Sequence, residues 1–561
     1  MFNEVMSKKE KVKIVPLGGL GEVGKNMTLL EYEGQILIID MGLNFPEDES
    51  PGVDYIIPNI SYLKGREDDI LGVIFTHGHY DHIGAVPYFL NKLGNPPIYA
   101  SALTMGIIEQ RQGDYPNQPK LNKTVIEDGS KIHLGPFKIE AFHQNHNIPH
   151  NLGYFIETPV GNILHTSDFK FDETPQNGPS TDFKKIKEFG NRGIHLMLSD
   201  STGAEDEGHS LSEKTISENL EKIFKKANGR IITATFSSLV NRVQDIIELS
   251  EKYGRKVIIE GYGMKTNVEL AINLGLIKAN KNTFLDRRKA DSIAPEKTTI
   301  ICTGAQGEER AALMRITQGE HRFFELRERD TVVFSSSVIP GNERSVQNLR
   351  DDILRQGADI YHYKMMDIHA SGHGQSEEIR QMIEMVKPNY LIPVHGQYSM
   401  MVRHKELADA TGIPEKTILI ENGEPVEMTS QKVYKTGEQV NVKPVMVDGS
   451  GVGDVGGVVL YDRKELAESG IFVVIVVLDR KTKKLQNSPD IISRGFVYLR
   501  ESQDLLAETR KKTRNIVKEA SRSKKTANAK HIKKQMEQRI EDFLYSKTRR
   551  RPIVLPVVIE I

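Results

Sequence analysis

The sequence predicts an α/β protein in which packed β-sheets precede a parallel α/β unit and a small α+β domain. Residues 12–170 contain short β-rich runs separated by Gly, Asn and Asp at intervals of about 8 to 15 residues, which is typical of sheets packed on one another. Residues 210–360 alternate helical periodicity with single apolar strands, which indicates a parallel sheet. Residues 458–561 contain an apolar run, a long helical stretch and a final strand, enough for a small α+β domain.

The strands predicted in the first region are apolar runs that end at turn signals. In order, they are VKIVPL, MTLLEY, QILIIDMG, LGVIFTH, KIHLG, FKIEAFH, LGYFIETP and NILHTSDF. A helix is predicted to begin at Ile83, in IGAVPYFLNKL, shortly after the strand in residues 69–76.

The later regions are predicted in the same way. A helix is expected at residues 212–227, and strands such as KVIIEG and TTIICTG then alternate with further helices. The longest apolar run, Ile471–Leu478, is far shorter than the roughly 20 residues of a membrane helix, so we predict a buried strand. Strands are also predicted for VVLYD at residues 458–462 and for RPIVLPVVIEI at the end.

Composition and charge exclude some classes of protein. With 38% hydrophobic and 27% charged residues, the 561-residue chain is typical of a folded protein with several cores. A net charge of −1 excludes a protein that coats nucleic acid by charge alone, but it leaves RNA and DNA partners open.

Cysteine content and the N-terminal sequence bear on location. Cys302 is the only cysteine, so no intrachain disulfide and no thiolate metal site can form, and a reducing, cytoplasmic setting is expected. We expect Cys302 to be buried and unreactive. The first residues lack the apolar stretch of a signal peptide, and no membrane partner is expected.

A basic stretch occupies the last part of the chain. Residues 510–551 contain sixteen Lys or Arg against four Asp or Glu. Such a stretch is typical of a solvated helix face, and an RNA-facing patch is the alternative.

One stretch, THGHYDHIGA at residues 76–85, concentrates three histidines and an aspartate directly after an apolar strand. On one loop, the side chains of His77, His79, Asp81 and His82 can turn toward two neighbouring points. Imidazole nitrogen and carboxylate oxygen are common zinc ligands, so the pattern HxHxDH indicates a two-metal site. Each histidine alone would be read as an ordinary loop residue, but the joint pattern favours metal binding.

Further ligands for such a site must come from distant parts of the chain. Candidates stand at the ends of predicted strands: His146 in FHQNHNIPHN, Asp168 in LHTSDFKFD and His395 in LIPVHGQY.

These motifs are similar to those of the metallo-β-lactamase fold. SDST with Asp200, the inserted α/β region, HASGHG with His373 and VHG with His395 resemble the β-CASP branch of nucleic-acid-processing enzymes. Whole segments resemble the bacterial ribonuclease J family over nearly the entire chain: GGLGEVGKN, FPEDE, GVDYIIP, DFKFD, PGN, DGSGVGDVG, ISRGFVYLRES and RRPIVLPV.

The resemblance implies an αββα metallo-β-lactamase sandwich with an inserted β-CASP domain and a small C-terminal α+β domain. The metallo-β-lactamase domain would comprise residues 1–217 and 361–440, and the β-CASP domain residues 218–360. Residues 441–457 would be a linker, since Gly-rich sequence favours turns, and residues 458–561 the last domain.

The resemblance also implies a metal-dependent ribonuclease with 5′–3′ exonuclease and endonuclease activity, acting in mRNA decay and rRNA maturation. A hydroxide activated by two Zn²⁺ ions would attack the phosphodiester. The seven implied ligands are His77, His79 and His146 for one ion, Asp81, His82 and His395 for the other, and Asp168 as the bridge.

Proton transfer and ligand orientation are implied for other residues. His373, held by Asp200, would protonate the leaving 3′ oxygen. Asp81, which is also an implied metal ligand, is counted among the implied catalytic residues as well. Asp40 would hydrogen-bond a ligand imidazole or the turn at residues 77–82.

The loop that carries His373 is implied to bind substrate. Together with the segment at Ser237 and Ser238, this loop would contact an RNA phosphate and favour 5′-monophosphorylated RNA. The alternative is that the loop is an ordinary turn without a binding role. The implied substrate-binding residues are Ser237, Ser238, His369, Ala370, Ser371, Gly372 and His373.

A structural Ca²⁺ ion is implied at Asp448, near the loop at residues 51–54. The chain also departs from the family pattern without losing a ligand. The departures are Tyr80 for the usual Glu, Asn147 for Ser, Ser167 for Gly and Leu239 for Asn.

Cofactors, partners and competing functions follow from the same reasoning. Mn²⁺ or Mg²⁺ could replace zinc in vitro, because the ligands are nitrogen and oxygen donors. The resemblance implies homo-oligomers, either dimers or tetramers, and an RNA-degradation assembly or a paralogous subunit as partner. Two alternatives remain: a small-molecule hydrolase of the same metal fold, and an inactive subunit that supports an active paralogue.

Overall fold

The computed structural model describes residues 10–46, 50–339, 341–449, 451–453, 456–497, 502–522 and 529–561. They fall into two compact units. Unit 1 comprises the described residues up to Asn44 together with Ile56–Val445, and unit 2 comprises those of Phe45–Tyr55 and Met446–Ile561.

Unit 1 contains two β-sheets that pack on each other, and each sheet has both parallel and antiparallel strands. The strands of the eight-stranded sheet are, from edge to edge, Val433–Lys435, Val426–Met428, Val12–Gly18, Met27–Tyr32, Gln35–Ile39, Ile70–Ile74, Ile98–Ala100 and Lys123–Val125. The strands of the seven-stranded sheet are Lys416–Thr417, Tyr390–Val394, Leu196–Asp200, Gly161–His165, Leu152–Thr158, Phe137–His143 and Lys131–Leu134.

The two sheets bury one core between them and a second beneath outer helices. Leu30 of one sheet and Tyr154 and Ile392 of the other belong to the same buried cluster. On the outer face of the seven-stranded sheet, Phe189 and Met382 pack helices against Leu391 and its neighbours. These layers agree with the metallo-β-lactamase sandwich that the family resemblance implies.

A separate five-stranded sheet lies in the inserted region, and its strands pair in parallel. In spatial order they are Lys256–Glu260, Thr298–Cys302, Ile231–Ala234, Thr331–Phe334 and Asp359–His362. The longer helices of unit 1 are Ala102–Gly113, Phe183–Asn191, Glu213–Lys226, Val240–Lys252, Tyr262–Asn273, Glu343–Arg355, Ser376–Val386 and Tyr398–Thr411. The predicted parallel α/β unit is therefore confirmed.

Unit 2 contains a three-stranded sheet and three helices among its described residues. The sheet order is Asp490–Arg494, Ile471–Leu478 and Ile553–Glu560. The helices are Gly457–Ser469, Gln503–Arg522 and Ala529–Thr548. None of the helices described in either unit is long and apolar enough to cross a membrane.

Three local predictions are wrong. The helix predicted from Ile83 is broken into short turns, Tyr80–Ile83 and Val86–Phe89, because the Ala85 N–H donates to the Met41 carbonyl instead of continuing a helix. The VVLYD run lies in the helix Gly457–Ser469 rather than in a strand.

The third concerns Ile471–Leu478: the predicted strand is confirmed, but the expectation that it is fully buried is wrong, because only alternate residues are buried. One face of this strand packs on the unit 2 core, and the other is partly exposed. Parts of the predicted linker at 441–457 and of the basic stretch at 510–551 lie outside the described residues.

Candidate metal centre

The predicted site residues follow the carboxyl ends of strands, so their side chains meet at one edge of the two sheets. His77 follows Ile70–Ile74, His146 follows Phe137–His143, Asp168 follows Gly161–His165, Asp200 ends Leu196–Asp200, and His395 follows Tyr390–Val394. The short strands Leu20–Gly21 and Gly396–Gln397 pair in parallel beside His395.

Three histidines form a first cluster of nitrogen atoms. The Nδ1 atom of His79 lies 2.9 Å from Nε2 of His77 and 3.2 Å from Nε2 of His146. The His77 and His146 rings are buried. These three ring nitrogens therefore face a common point.

A second cluster forms around Asp81, His82 and His395. The Oδ2 atom of Asp81 lies 3.6 Å from Nε2 of His82 and 3.7 Å from Nε2 of His395. All ligand atoms within each cluster lie within 4.8 Å of one another. The structure thus brings together all of the ligands predicted for each metal ion.

Asp168 lies between the two clusters. Its Oδ2 atom is 3.3 Å from Nε2 of both His82 and His395 in the second cluster. The same atom is 3.7 Å from Nε2 of His77 and 3.8 Å from Nε2 of His146 in the first. One oxygen atom is therefore positioned to serve both clusters.

In two of the buried ligand rings the outer nitrogen is held by an oxygen atom, which fixes the tautomer. The His146 Nδ1–H donates to the Gly372 carbonyl at 2.6 Å, and the His395 Nδ1–H donates to Asn26 Oδ1 at 3.0 Å. The Nε2 atoms of both rings are therefore left as lone-pair donors that face the cluster.

Asp40 holds His82 in the same way. Its Oδ2 atom lies 2.8 Å from His82 Nδ1 and also accepts from the Thr76 hydroxyl at 2.9 Å, while Oδ1 accepts from the Thr76 N–H at 2.8 Å. Asp40 is buried, so its removal would leave these donors unpaired inside the protein.

Asp40→Ala is accordingly expected to weaken zinc binding by about 10- to 100-fold, the usual cost of losing a carboxylate that orients a ligand imidazole. Competition with a chromophoric chelator measures this affinity. Asp330→Asn is the matched control, because Asp330 is an equally buried carboxylate that pairs with Arg230 in the inserted region. Equal affinities for wild type and Asp40→Ala would contradict the assigned role.

Burial sets the charge states of the first cluster. It lowers the pKa of His77 and His146 well below the ordinary value for histidine and lowers that of His79 to about 4. These rings are therefore neutral at physiological pH, which is the form that binds metal ions.

Asp168 and His82 form an oppositely charged pair. Burial acts to raise the pKa of Asp168, but His395 and His82 outweigh it and hold the pKa well below the ordinary range. Burial acts to lower the pKa of His82, but Asp168 and Asp81 outweigh it and raise the pKa well above the ordinary value. The second cluster therefore contains carboxylates and the protonated imidazole of His82. A metal ion could bind to this imidazole only by displacing its proton.

The donor set fits divalent metal ions of the zinc type. Neutral imidazoles with fixed tautomers and a shared, ionised carboxylate are the ligands that zinc uses in catalytic sites. The charge of the Asp168 carboxylate is offset by the protonated His82 ring, and a bound cation would take over that role when it displaces the proton.

His373 and Asp200 lie at the rim of the second cluster. Asp200 Oδ2 is 2.8 Å from His373 Nδ1, and its Oδ1 accepts from the Thr202 N–H at 2.9 Å. Burial acts to lower the pKa of His373, but Asp200 outweighs it and raises the pKa to about 9. The ring is therefore protonated at neutral pH and can donate a proton.

The residues of the predicted phosphate-binding loop at 369–373 have different surroundings in the structure. Ser371 is exposed, and its Oγ accepts from the His373 N–H at 3.1 Å. Gly372 lies against a ligand, since an added Cβ would stand 2.5 Å from the His146 ring. Ala370 is buried, and burial lowers the pKa of His369 to about 3, so this histidine could contact a phosphate only as a neutral group.

Ser237 and Ser238 are partly exposed in the segment after Ile231–Ala234. The next residue, Leu239, lines a small cavity together with His146 and His369. The segment therefore lies beside the metal centre.

The structure gives no support to a calcium site at Asp448. This carboxylate forms an ion pair with Arg463. The neighbouring Gly449 N–H donates to Asp54 Oδ2 at 2.7 Å. Among the described residues, Asp448 belongs to no group of three or more metal-ligating side chains.

Sequence reasoning missed the groups that hold the ligand rings. Asn26 lies in the GGLGEVGKN segment, which the sequence analysis does not connect with the metal site, yet its Oδ1 accepts from the His395 Nδ1–H. The Gly372 carbonyl could not be predicted, since a backbone acceptor leaves no signal in the sequence.

Backbone strain also accompanies the site. Ser167, Asp40 and His395 adopt left-handed conformations, with φ of 60°, 62° and 51°. Ser167 stands where the family usually has Gly, which adopts this region at no steric cost. The Ser167 hydroxyl donates to Asn151 Oδ1 at 2.6 Å, a contact that Gly could not make.

Comparison with protein-family models covers most of the chain. The metallo-beta-lactamase superfamily matches residues 20–228, and the beta-CASP domain of Ribonuclease J matches residues 228–353. The Zn-dependent metallo-hydrolase RNA specificity domain matches residues 362–419, and the Ribonuclease J C-terminal domain matches residues 458–561.

Individual relatives match over their full length. The chain is 39% identical to Ribonuclease J 1 of Streptococcus pyogenes serotype M3, covering 100% of this chain and 99% of that protein. It is 38% identical to Ribonuclease J2 of Bacillus subtilis, covering 99% and 100%. A solved structure of a protein of unknown function from Enterococcus faecalis V583 shares the fold alone, with a TM-score of 0.54 and 15% identity over 74% of this chain and 100% of that one.

The fold and its buried cluster of histidines and aspartates define a hydrolase of the metallo-β-lactamase superfamily with an inserted β-CASP domain. The full-length relatives narrow this class. The chain belongs to the ribonuclease J family, which confirms the predicted family and fold.

Proposed function

We propose that the protein is a two-zinc ribonuclease that removes nucleotides from the 5′ end of RNA and also cuts RNA internally. The observation that carries the proposal is the position of Asp168, whose Oδ2 atom lies 3.3 to 3.8 Å from Nε2 of four histidines. Membership of the ribonuclease J family supports the coarser statement that the protein is a metal-dependent ribonuclease whose substrate is RNA.

Each of the two clusters would hold one ion, with Asp168 between them. When bound, such ions act as Lewis acids and lower the pKa of water toward neutrality, which supplies a nucleophile for phosphodiester hydrolysis. Zinc suits the donor set, and Mn²⁺ or Mg²⁺ could replace it in vitro.

His373 would protonate the 3′ oxygen that leaves when the phosphodiester bond breaks. Asp200 accepts a hydrogen bond from the Nδ1–H of His373. This contact orients the His373 ring and leaves its Nε2–H free to donate a proton. The pKa of about 9 supports a protonated ring at neutral pH.

The exposed Ser371 and the segment at Ser237 and Ser238 would contact RNA phosphate. Their position beside the metal centre supports this role, and it would favour a 5′-monophosphate. His369 would contribute only a neutral hydrogen-bonding group.

A small-molecule hydrolase and an inactive partner subunit are the competing functions. The complete HxHxDH motif and both ligand clusters favour an active enzyme over an inactive subunit. The match to an RNA specificity domain favours RNA over a small substrate. The proposal includes a cytoplasmic location, a homodimer or homotetramer, and a role in mRNA decay and rRNA maturation, all of which the family resemblance implies.

The test compares three RNAs of one sequence: 5′-monophosphorylated, 5′-triphosphorylated and circular. We expect the wild type to degrade the monophosphorylated RNA fastest and to cut the circular RNA, which has no 5′ end. His79→Ala is expected to lose activity on all three, because His79 Nδ1 lies between the nitrogens of His77 and His146. An intact circular RNA would refute internal cutting, and full activity of His79→Ala would refute the metal site.

A further inference from the structure

A buried network of ionisable side chains adjoins the segments that carry the metal ligands. Lys170, Glu213, Arg242 and Asp245 are all nearly inaccessible to solvent, at 1%, 9%, 3% and 1% exposure. Glu213 accepts from Lys170 Nζ at 2.9 Å and from Arg242 Nη2 at 2.5 Å. Asp245 lies on the same helix as Arg242, three residues later.

One end of this network belongs to the metal-binding segments. Lys170 follows the ligand Asp168 by two residues, and its N–H donates to the Asn145 carbonyl at 2.9 Å. Asn145 directly precedes the ligand His146. The backbone bridge between Asn145 and Lys170 therefore ties the segments of two ligands together, and the Lys170 side chain connects them to Glu213.

The other end holds the loop that carries His373. Arg242 Nη1 donates to the Ile368 carbonyl at 2.9 Å and to Ser335 Oγ at 2.5 Å. The Ser335 hydroxyl in turn donates to the same Ile368 carbonyl at 2.7 Å. At the far end of the loop, the Gly374 N–H donates to the Phe169 carbonyl at 2.5 Å. The loop is thus fixed at both ends, once through Arg242 and once next to Asp168.

Burial raises the pKa of Asp245 to about 8, so this carboxyl is largely protonated at neutral pH. Burying the charges of Lys170, Glu213 and Arg242 opposes folding unless their pairing is complete, so a network of this kind is weak evidence for a stabilising role. Replacement by apolar side chains would fill the same space without that cost. Apolar residues could not, however, make the hydrogen bond by which Arg242 of the inserted β-CASP region holds the Ile368 carbonyl.

We propose that Arg242 is a positioning residue that sets the His369–His373 loop so that His373 faces Asp200 and the metal centre. This inference rests on the proposed function of His373 as a proton donor. Through Glu213 and Lys170, the same guanidinium links the β-CASP region to the segment of Asp168. Arg242 itself need not touch the RNA.

The test is a double-mutant cycle between Arg242 and His373, with steady-state kinetics on 5′-monophosphorylated RNA. We expect Arg242→Met to lower kcat by about 30-fold while KM changes less than about threefold, since the lost contact acts on the proton donor rather than on RNA binding. In the His373→Ala background the same substitution should cost less than about threefold, because the group it positions is already gone.

The matched control is Arg230→Met. Arg230 is an equally buried arginine of the inserted region that pairs with Asp330 and donates to the Glu325 carbonyl at 2.7 Å. We expect a similar loss of thermal stability but an unchanged kcat. Arg242→Lys and Arg230→Lys repeat the comparison with smaller effects on folding, and zinc content is measured for every variant.

The outcomes separate the inference from the function on which it rests. An equal loss from Arg242→Met with and without His373, or an equal loss of kcat in the Arg230 variant, overturns the positioning role. If His373→Ala alone leaves the rate unchanged, the proposed function of His373 is overturned instead.

Discussion

Asp168→Asn is expected to lower kcat/KM for RNA by roughly four orders of magnitude or more, equivalent to about 5.5 kcal/mol of transition-state stabilisation. Its Oδ2 atom lies within 3.8 Å of ring nitrogens from both clusters. An amide oxygen carries no negative charge and is a much weaker metal ligand than a carboxylate oxygen, so both clusters would lose the anionic ligand that they share.

Elemental analysis of the purified variant measures the accompanying loss of zinc. Asp172→Asn is the control, because Asp172 is a buried carboxylate of the same segment that accepts from the Glu213 N–H at 2.9 Å. It should keep its metal. A fully loaded Asp168→Asn protein with nearly wild-type activity would rule out the bridging position.

His373→Ala is expected to lower kcat by about 10²- to 10⁴-fold, the usual contribution of a general acid, while zinc content stays unchanged. The rate should fall because His373, whose Nδ1 lies 2.8 Å from Asp200, is the proposed proton donor. The zinc content should stay unchanged because the substitution leaves every ligand of both clusters in place. The rates are measured with RNA that carries a single cleavable bond.

A substrate whose leaving 3′ oxygen is replaced by sulfur makes this prediction specific. A thiolate leaves without protonation, so the sulfur substrate should restore most of the rate of His373→Ala. His79→Ala should gain nothing from it, because that variant lacks a metal ligand. If sulfur fails to help His373→Ala, the histidine has some role other than proton donation.

Local patterns in the sequence predicted the ligands well. His77, His79, Asp81 and His82 lie on one loop, so their proximity follows from chain connectivity alone. His146, Asp168 and His395 were expected there because each follows a strand, and strand ends of one direction meet at one edge of a sheet.

Long-range and backbone contacts could not be predicted in this way. Asn26 reaches His395 across more than three hundred residues, and Gly372 uses its carbonyl, which every residue possesses. The ion pair of Asp448 with the guanidinium of Arg463 could not be predicted either, because Arg463 lies on a helix that the sequence predicted as a strand. Packing decides such cases, and a single sequence does not record it.

The division of the site by the inserted region has a consequence for protein synthesis. His77, His79, His146 and Asp168 precede the five-stranded sheet in the chain, but His373 and His395 follow it. A ribosome that has not yet translated residue 395 carries a nascent chain in which the second cluster is incomplete. A growing chain of this kind cannot assemble the full centre beside its own messenger before the inserted domain has been made.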